Sequence, residues 1–406
     1  MKVLHLNQSD QGGGAGITAY RLHRALQSQG LESHLLVGKV VAPERDVTVF
    51  PRWPWIESHL SRLNRNTISL NYVELLSSFA LPRHPRYQWA DVLNFHNLHT
   101  GYFNYLALPK ITRHKPAVWT LHDMWGLTGH CAYSYDCDRW LRGCGRCPYP
   151  QEYPPIRFDS SAWEWRLKQW VYGRSRLTIV AHSQWLVDLA KRSLLGRFPV
   201  QMIRAGLDLN QFQPHDPATC RRLLGLPVEG RVLLFGVDSL VERRKGGDFI
   251  LPLLQRLPPS LTRDLTLLMF GSQGSRLAEK VDIPVVNLGY IHSDHLKAIA
   301  YAAADLVLFP TRADNAPLVI QESLACGTPV ITFGVGGVPE FIEPGVTGYL
   351  AEPENGEDLA WGVQSWLEKT DLAPHRARCR QVAEAEYSLT AQAQQYQRLY
   401  AQLINH

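Results

Sequence analysis

The sequence predicts an α/β protein made of two doubly wound domains, each built on a parallel β-sheet. The short uninterrupted apolar run 306–309 is typical of a strand that is covered on both faces, and residues 3–7 also have the pattern of a buried strand. Helical patterns separate these runs, which is the alternating order of a doubly wound sheet. The 406-residue chain is also longer than one hydrophobic core usually supports, so we expect two Rossmann-like domains that face a cleft.

The composition is that of an ordinary globular protein, with 45% apolar and 19% charged residues. The net charge of +5 suits an anionic ligand, but it is too small to indicate nucleic acid, for which the sequence carries no motif. No apolar run approaches the roughly 18 residues needed to span a bilayer, and Met1 and Lys2 lead directly into a predicted strand. We therefore expect a cytoplasmic protein.

A glycine-rich loop at residues 11–16 joins the first strand to a helical pattern that Gly30 closes. This order is typical of an anion site, because the amides of the loop and of the helix start can surround a phosphate. A dinucleotide fingerprint would need a third glycine where the chain has Ile17, so the sequence disfavours NAD. A plain tight turn is the alternative.

A histidine directly follows each of three predicted strands: His96 after residues 91–95, His122 after 117–121 and His182 after 177–181. Ligands of doubly wound sheets bind beyond the carboxyl ends of the strands, which makes His122 a candidate site residue. The alternative is a histidine that only hydrogen-bonds a loop carbonyl. Ser183 is interpreted as the cap of the next helix rather than as a nucleophile, because no Gly-x-Ser-x-Gly motif surrounds it.

Residues 50–90 lack clear periodicity but concentrate aromatic and basic side chains: Trp53, Trp55, Trp89, Arg52, Arg62, Arg65, Arg83 and Arg86. Acidic residues are sparse in this segment. Such a surface could bind a polyprenyl-phosphate lipid or a membrane face. A pair of solvated helices, whose arginines extend over apolar surface, is the alternative.

Four of the seven cysteines lie in a short predicted insert at residues 130–148: Cys131, Cys137, Cys144 and Cys147. The last two have the Cys-x-x-Cys spacing of a metal knuckle, so a structural zinc held by four thiolates is expected, with His130 as an alternative ligand. Disulfides are the rival interpretation. They are disfavoured because thiols stay reduced in the cytosol.

A second candidate site lies between the strand predicted at 306–309 and Gly327. Asp314 follows the strand, and Pro317 is well placed as the first residue of a helix that Gly327 ends in a left-handed conformation. Glu322 lies inside this helix. The helix start would direct free amides and a positive dipole end toward the strand ends, where a phosphate is stabilised. The alternative is that Asp314 only caps the helix and Glu322 is solvated.

Asp314 and Glu322, with the following sequences ACGTPV and GGVPE, resemble the donor site of retaining, nucleotide-sugar-dependent glycosyltransferases of the glycogen-synthase-like group (family 4). That family has the GT-B fold, and its pattern normally has Glu, which is one methylene longer, in place of Asp314. The resemblance covers most of the chain and is most specific over residues 232–350. It implies that Asp314 faces the donor sugar and that Glu322 faces the ribose hydroxyls.

The resemblance assigns roles to further residues. Gly13 and Gly14 would approach the donor diphosphate, and His122 would lie beside the donor sugar. The sequence Glu242 to Gly247 resembles the segment that neutralises the diphosphate, with Lys245 as the firmer assignment and Arg244 and Arg243 competing for the second role. The other implied donor-binding residues are Gly271, Tyr290, Ile291, Ala316, Pro317, Leu318 and Val319. No catalytic metal is expected.

The resemblance also implies the domain roles and the reaction. Residues 1–200 with 388–406 would form the acceptor-side domain, and residues 201–387 would form the donor domain. The enzyme would move a sugar from a UDP- or GDP-sugar to a glycan or lipid-linked acceptor in polysaccharide biosynthesis, in the cytoplasm or at the inner face of the membrane. The alternatives are a nucleotide-sugar epimerase, a glycoside phosphorylase, and a non-catalytic nucleotide-sugar-binding protein.

Overall fold

The computed structural model describes residues 1–405, which divide into two compact units. The first unit contains Met1–Gly206 and the end of the chain from Leu389, and the second contains Leu207–Ser388. The sequence-based division after residue 200 would cut a strand of the first sheet, because residues 200–202 pair with residues 179–181 of that sheet.

The first unit has a seven-stranded parallel sheet. Its strands are β1 (Lys2–Ser9), β2 (Glu32–Lys39), β3 (Val47–Val49), β4 (Val92–Phe95), β5 (Ala117–Leu121), β6 (Thr178–Ala181) and β7 (Val200–Met202). They are arranged in the order β3-β2-β1-β4-β5-β6-β7. The helices between them are α1 (Gly13–Ser28), α2 (Pro54–Thr67), α3 (Pro85–Trp89), α4 (Leu108–Ile111), α5 (Ser161–Tyr172) and α6 (Gln184–Arg192).

The second unit repeats this plan with six parallel strands. They are β8 (Arg231–Ser239), β9 (Leu265–Ser272), β10 (Val285–Asn287), β11 (Leu306–Phe309), β12 (Val330–Phe333) and β13 (Gly348–Ala351), in the order β10-β9-β8-β11-β12-β13. Its helices are α7 (Pro217–Leu223), α8 (Ile250–Arg256), α9 (Pro259–Thr262), α10 (Ser275–Ala278), α11 (Asp294–Ala303), α12 (Leu318–Ala325), α13 (Gly356–Leu367) and α14 (Ala373–Glu386).

Burial on both faces explains the uninterrupted apolar runs in the sequence. Every residue of β4, β5, β6, β11 and β12 is buried, as expected for central strands of a parallel sheet covered by helices. In each unit the strand order reverses beside the first strand, between β1 and β4 and between β8 and β11. The crevice beyond the carboxyl ends of the strands at such a reversal is where doubly wound sheets bind ligands.

The last helix, α15 (Leu389–Ile404), belongs to the first unit although it follows the second in sequence. It packs against α1, and its two buried tyrosines reach the sheet. The Tyr400 hydroxyl accepts a hydrogen bond from Asn94 at 2.7 Å, and the Tyr396 hydroxyl lies 2.9 Å from that of Thr120. No helix within residues 1–405 combines the length and the apolar character that a membrane span requires.

Candidate active site

Helix α12 begins one residue later than the sequence predicts. Pro317 has an extended backbone (φ −69°, ψ 121°) and occupies the position before the first helical residue, Leu318. The prediction of Pro317 as the first helical residue is therefore wrong by one position, because the φ that the proline ring fixes suits either place. Gly327 follows the helix with φ +79°, the left-handed conformation that was predicted.

Asp314 is buried at the centre of a charge cluster in the loop before α12. Its Oδ2 accepts a hydrogen bond from Lys245 Nζ at 2.7 Å and lies 3.3 Å from an Arg244 guanidinium nitrogen. Burial alone would raise the pKa of Asp314, but the charges of Lys245 and Arg244 outweigh burial and lower this pKa. Burial and the adjacent Arg244 lower the pKa of Lys245. Glu242 Oε1 also lies 2.9 Å from Arg244 Nε, so two cations and two carboxylates are held together within the second unit.

Arg243 and Arg244, the two candidates for the second cationic role, have different surroundings in the structure. Arg244 joins the cluster with Asp314, whereas Arg243 is exposed and its carbonyl accepts a hydrogen bond from Arg312 at 2.7 Å. Gly246 explains why glycine follows Lys245: its φ is +74°, and a Cβ there would lie 1.9 Å from the carbonyl oxygen of Pro310. Only glycine lets this turn lie against the end of β11.

Glu322 is buried inside α12, with only 3% of its surface exposed. Its Oε2 accepts a hydrogen bond from the Tyr301 hydroxyl at 3.2 Å. The alternative interpretation of Glu322 as a solvated helix residue is therefore wrong. No sequence pattern indicated Tyr301, because its contact with Glu322 depends on how α11 packs against α12.

The predicted nucleotide-base residues lie at the ends of β9 and β10. Gly271 has φ +133°, and a Cβ there would lie 2.1 Å from the Val237 carbonyl oxygen. Tyr290 is partly exposed, and burial together with its hydrogen bond to Asp238 raises its pKa to about 12. Ile291 is buried. Beside the start of α12, the remaining predicted residues are half-buried: Ala316, Leu318 and Val319. Their contacts with a nucleotide remain predictions.

Gly13 and Gly14 form the first turn of α1 in the first unit. Gly13 has φ +66°, and a Cβ at either residue would meet no described atom within 4 Å. The space beside this loop is therefore open, and the loop amides and the helix start can be approached closely by an anion. Ser183 caps α6 as predicted, because its hydroxyl accepts the Leu186 amide at 3.1 Å.

His122 is half-buried at the end of β5 and belongs to a row of histidines along the carboxyl edge of the first sheet. Its Nε2 lies 3.0 Å from His96 Nδ1, and His96 Nε2 lies 3.1 Å from His5 Nδ1. The His182 ring centre is 5.1 Å from that of His122. The sequence pattern drew attention to the three strand-ending histidines but missed His5, which lies inside the apolar run of β1.

The four clustered cysteines line one small cavity of about 20 Å³, together with His130. Cys144 Sγ accepts a hydrogen bond from the Gly129 amide at 3.2 Å, and Cys147 Sγ lies 3.1 Å from His130 Nε2. Burial raises the pKa of Cys131 to about 12 and that of Cys144 to about 11. Among residues 1–405, no three His, Cys, Asp or Glu side chains are placed so that they could hold a metal ion. The arrangement of the thiols therefore gives no support to the zinc prediction.

Two protein-family models match the chain, one on each half. The model "Glycosyltransferase Family 4" matches residues 12–211, and the model "Glycosyl transferases group 1" matches residues 225–386. Among curated proteins, WcaC of Escherichia coli K12, described as a colanic acid biosynthesis glycosyl transferase, is 28% identical over 360 residues, which cover 82% of each protein. The D-inositol 3-phosphate glycosyltransferase of Mycolicibacterium smegmatis is 29% identical over 208 residues, 48% of this chain and 46% of that protein.

Solved structures show the same architecture over the full chain. Sucrose-phosphate synthase from Thermosynechococcus elongatus aligns with a TM-score of 0.72 at 18% identity and covers 100% of both chains. Anabaena HepE, crystallised with UDP and glucose, aligns with a TM-score of 0.68 at 19% identity, over 99% of this chain and 100% of that chain. These similarities confirm the predicted GT-B fold. The two family matches, which together span most of the chain, show that it belongs to family 4 of the glycosyltransferases, whose members retain the configuration of the transferred sugar.

Proposed function

We propose that this glycosyltransferase moves a hexosyl group from a UDP-sugar to a glycan or lipid-linked acceptor during exopolysaccharide synthesis. The observation that carries the proposal is the cluster of half-buried Lys245 and Arg244 around buried Asp314, beside the start of α12. A nucleotide-sugar transferase must stabilise a diphosphate leaving group, and two cations next to a helix start provide that stabilisation. The description of WcaC supports the exopolysaccharide role, and the ligands of HepE support UDP and a hexose.

The cluster favours displacement on one face of the sugar. Asp314 is the carboxylate that could attack the sugar, but its charge is already shared by Lys245 and Arg244, which lowers its nucleophilicity. In the proposed step the bond between the anomeric carbon and the phosphate oxygen breaks, and the acceptor oxygen bonds to the same face. The acceptor proton passes to the leaving phosphate oxygen. Lys245 and Arg244 stabilise the charge that develops there.

Nucleotide release from a panel of UDP- and GDP-sugars, with and without acceptor extract, tests this function. We expect acceptor-dependent release of UDP by the wild type and a large loss for Lys245→Met. Lys369→Met is the matched control. Lys369 is exposed just after α13, and within the described part of the chain its ammonium group lies over the Trp366 ring. Three outcomes would contradict the proposal. Sugar interconversion without UDP release would indicate an epimerase, and dependence of the reaction on phosphate would indicate a phosphorylase. Binding of the nucleotide sugar without turnover would indicate a binding protein.

We further propose that α2 brings the enzyme to an anionic membrane surface. Trp55, Ile56 and Leu63 are exposed and share one face of this helix, and Arg62 and Arg65 lie beside them. An exposed apolar stripe with flanking cations is typical of helices that lie in a membrane interface. Three other members of the basic, aromatic segment make contacts within the protein: Arg52 binds Glu57, and Arg86 lies over the half-buried Trp89 ring.

Vesicle co-sedimentation tests the membrane contact. We expect the protein to bind vesicles that contain phosphatidylglycerol more strongly than neutral phosphatidylcholine vesicles, and salt to weaken binding because charge contributes to it. The double variant Trp55→Ser, Ile56→Ser should lose binding. Trp361→Ser, which changes a similarly exposed tryptophan in the second unit, should keep it. Equal behaviour of both variants would contradict the contact through α2.

A structural zinc at Cys131, Cys137, Cys144 and Cys147 also remains a proposal. It rests on the Cys-x-x-Cys spacing in the sequence, and binding would require the thiol side chains to turn toward the cavity of about 20 Å³ that they share. All seven cysteines are free. Elemental analysis of protein purified without added metal should find about one zinc per chain, and Cys144→Ser should lower that content. Metal-free protein, or disulfides among these cysteines, would contradict the proposal.

A further inference from the structure

Asp123, His99 and Tyr153 are joined by hydrogen bonds within the first unit, and we name them the Asp-His-Tyr network. Asp123 Oδ2 lies 2.8 Å from His99 Nε2, and His99 Nδ1 lies 3.3 Å from the Tyr153 hydroxyl oxygen. His99 lies in the loop after β4, Asp123 in the loop after β5 and Tyr153 in the loop before α5. His99 is 3% exposed, whereas Tyr153 is 46% exposed. The network therefore leads from a buried imidazole to a tyrosine at the surface.

The charge of Asp123 sets the direction of these hydrogen bonds. Burial alone would raise the pKa of Asp123, but His99 and the Trp125 amide outweigh burial and lower this pKa. The ionised carboxylate can only accept, so His99 donates to it through Nε2. A neutral imidazole then has a lone pair on Nδ1, to which the Tyr153 hydroxyl donates. The oxygen of Tyr153 keeps its own lone pairs for a further donor.

Tyr153 is held in place by its backbone and by its ring. Its carbonyl oxygen accepts the Ala132 amide at 2.8 Å, and its ring lies edge-on to that of His99, with the ring centres 5.5 Å apart. Burial raises the pKa of Tyr153, so the hydroxyl stays protonated. Within residues 1–405, His99 is the one hydrogen-bond partner found for this hydroxyl. The surface of the first unit thus presents a fixed aromatic ring with an acceptor oxygen.

The backbone directly after His99 is strained. Thr100 has φ +79°, a left-handed conformation that a β-branched residue rarely adopts, and Gly101 continues the turn with φ +77°. Strain of this kind persists only where the surrounding structure imposes it, and it is concentrated at ligand-binding sites. The loop that carries His99 therefore has the backbone character of a binding site, in agreement with the partly exposed Tyr153 beside it.

We propose that Tyr153 binds the sugar acceptor and that His99 and Asp123 are positioning residues: the Tyr153 oxygen accepts a hydrogen bond from a sugar hydroxyl, and its ring packs against the sugar. This inference rests on the proposed function, in which the acceptor is a glycan or is lipid-linked. Tyrosine has an apolar body and a polar tip, which match the C–H face and the hydroxyls of a sugar ring. A phosphate group would instead be repelled by the lone pairs of Tyr153 and by the charge of Asp123. The acceptor group bound here is therefore an uncharged sugar.

Titrations by saturation-transfer-difference NMR measure this binding on the full-length protein without turnover. The probes are the methyl glycosides of glucose, galactose and mannose, their monodeoxy analogues, and methyl phosphate, each added with excess UDP so that the nucleotide site is filled. We expect at least one glycoside to bind. Removal of the hydroxyl that contacts Tyr153 should weaken its binding by about three- to tenfold, the effect of one neutral hydrogen bond.

Variants separate the oxygen of Tyr153 from its ring and from its support. Tyr153→Phe keeps the ring, so it should bind the glycoside and the deoxy analogue about equally. His99→Leu should also lose the preference, because the Tyr153 hydroxyl is then free to rotate, and His99→Asn should restore most of it, because its amide oxygen can accept in place of Nδ1. Tyr349→Phe is the matched control: Tyr349 is a half-buried tyrosine of the second unit that donates to Asp358 at 2.6 Å.

Long-range ¹H–¹⁵N spectra of protein labelled with ¹⁵N-histidine, recorded at pH 7.5, check the direction of the network. Comparison with His99→Asn identifies the His99 signals, and we expect hydrogen on Nε2 alone. Hydrogen on Nδ1 would overturn the inference. So would an unchanged hydroxyl preference in Tyr153→Phe, a methyl phosphate complex that depends on Tyr153, or binding of none of the glycosides. Because no measurement here needs turnover, failure of every nucleotide sugar to react would contradict the proposed function alone.

Discussion

Asp314 occupies a position where related enzymes usually have the longer glutamate, and here it binds two cations rather than standing alone. The contacts to Lys245 at 2.7 Å and Arg244 at 3.3 Å make it a counter-charge for the groups proposed to bind diphosphate. Its shorter side chain is compatible with this role, since it needs to reach only residues of its own unit. The carboxylate therefore controls how positive the diphosphate site is.

Asp314→Asn should separate this role from that of a nucleophile. Removing the negative charge leaves Lys245 and Arg244 more positive, so UDP should bind at least as tightly as to the wild type. Transfer should fall but remain measurable. Calorimetry with UDP and a transfer assay provide the two measurements. A covalent sugar ester on Asp314, trapped in the wild type and seen by mass spectrometry, would contradict the same-face displacement.

Lys245→Met should lower turnover by about two to three powers of ten, the scale for removing one preorganised stabiliser of developing charge. Calorimetry should show that UDP binding weakens much more than UMP binding, because Lys245 is proposed to contact the diphosphate. Equal weakening for both nucleotides would contradict this assignment.

Glu322→Gln should weaken binding of the nucleotide while the fold is kept. The amide fits the same buried space beside Tyr301 but has one acceptor oxygen instead of two for hydroxyl groups. Comparison of UDP with 2′-deoxy-UDP by calorimetry checks the ribose role, since the variant should reduce the difference between the two ligands. Glu357→Gln, at an exposed position in the first turn of α13, is the control. An unchanged preference for ribose would exclude the role.

The residue-level predictions from sequence succeeded where the cause is local. Gly327 and Ser183 were assigned correctly because a left-handed turn and a helix cap each depend on only a few neighbouring residues. The bonds of His5 to His96 and of Tyr301 to Glu322 could not be predicted, because they depend on which strands and helices become neighbours. A histidine inside an apolar run was the only available signal for His5.

Helix α5 illustrates how an element organises a loop that has little core of its own. Lys168 is fully buried on this helix, and its ammonium donates to the carbonyl oxygens of Trp125 and Thr128 at 2.7 and 3.0 Å. These carbonyls immediately precede the cysteine-containing segment 130–148. Burial lowers the pKa of Lys168 to about 8 and raises that of the nearby Glu164 to about 7. The helix therefore holds the start of that segment through one buried charge.

Lys168→Met should destabilise the first unit by about 3 kcal/mol, because two buried carbonyls lose their donor and Glu164 loses a compensating charge. Urea unfolding followed by tryptophan fluorescence is suitable, since all tryptophans except Trp361 and Trp366 lie in the first unit. Segment 130–148 should also become more sensitive to protease. The double variant with Glu164→Gln should recover part of the stability; no recovery would show that the charge balance is unimportant.

Strand positions were the best-predicted elements, for a physical reason. Strands β5 and β11 match the predicted bounds because their runs are apolar except for Thr120, and because His122 and Pro310 follow them directly. The start of α12 was misplaced by one residue, since proline suits both sides of a helix start. The placement of the thiols around their cavity was beyond sequence analysis, because cysteine spacing does not determine the side-chain directions.

At the scale of the whole molecule, the first unit contains several buried histidines, and burial lowers their pKa values. Burial lowers the pKa to about 4 for His23, His34 and His182 and to about 3 for His122. It lowers the pKa of His5 and His96 well below the usual value. In the unfolded chain they titrate near 6.5. Between these values the unfolded state binds more protons, so stability is complete above about pH 6.5 and decreases as the pH falls.

We therefore expect the first unit to lose stability between pH 7 and pH 5, by about 2 kcal/mol at pH 5 for each fully buried histidine that must become charged on unfolding. Urea unfolding curves at pH 7.5, 6 and 5, followed by tryptophan fluorescence, measure this change. The variant His182→Asn should have a shallower dependence on pH. Curves that coincide from pH 7.5 to pH 5 would contradict the burial of neutral histidines.

Helix α15 has a consequence for the order in which the protein forms during synthesis. The second unit is one continuous segment, Leu207–Ser388, and can fold as soon as that segment has left the ribosome. The first unit, although made first, lacks the helix whose Tyr396 and Tyr400 bind Thr120 and Asn94 until the last residues are added. Its apolar surface under α15 stays uncovered for that time, so a nascent chain arrested before residue 389 should present a folded second unit and a first unit that chaperones still recognise.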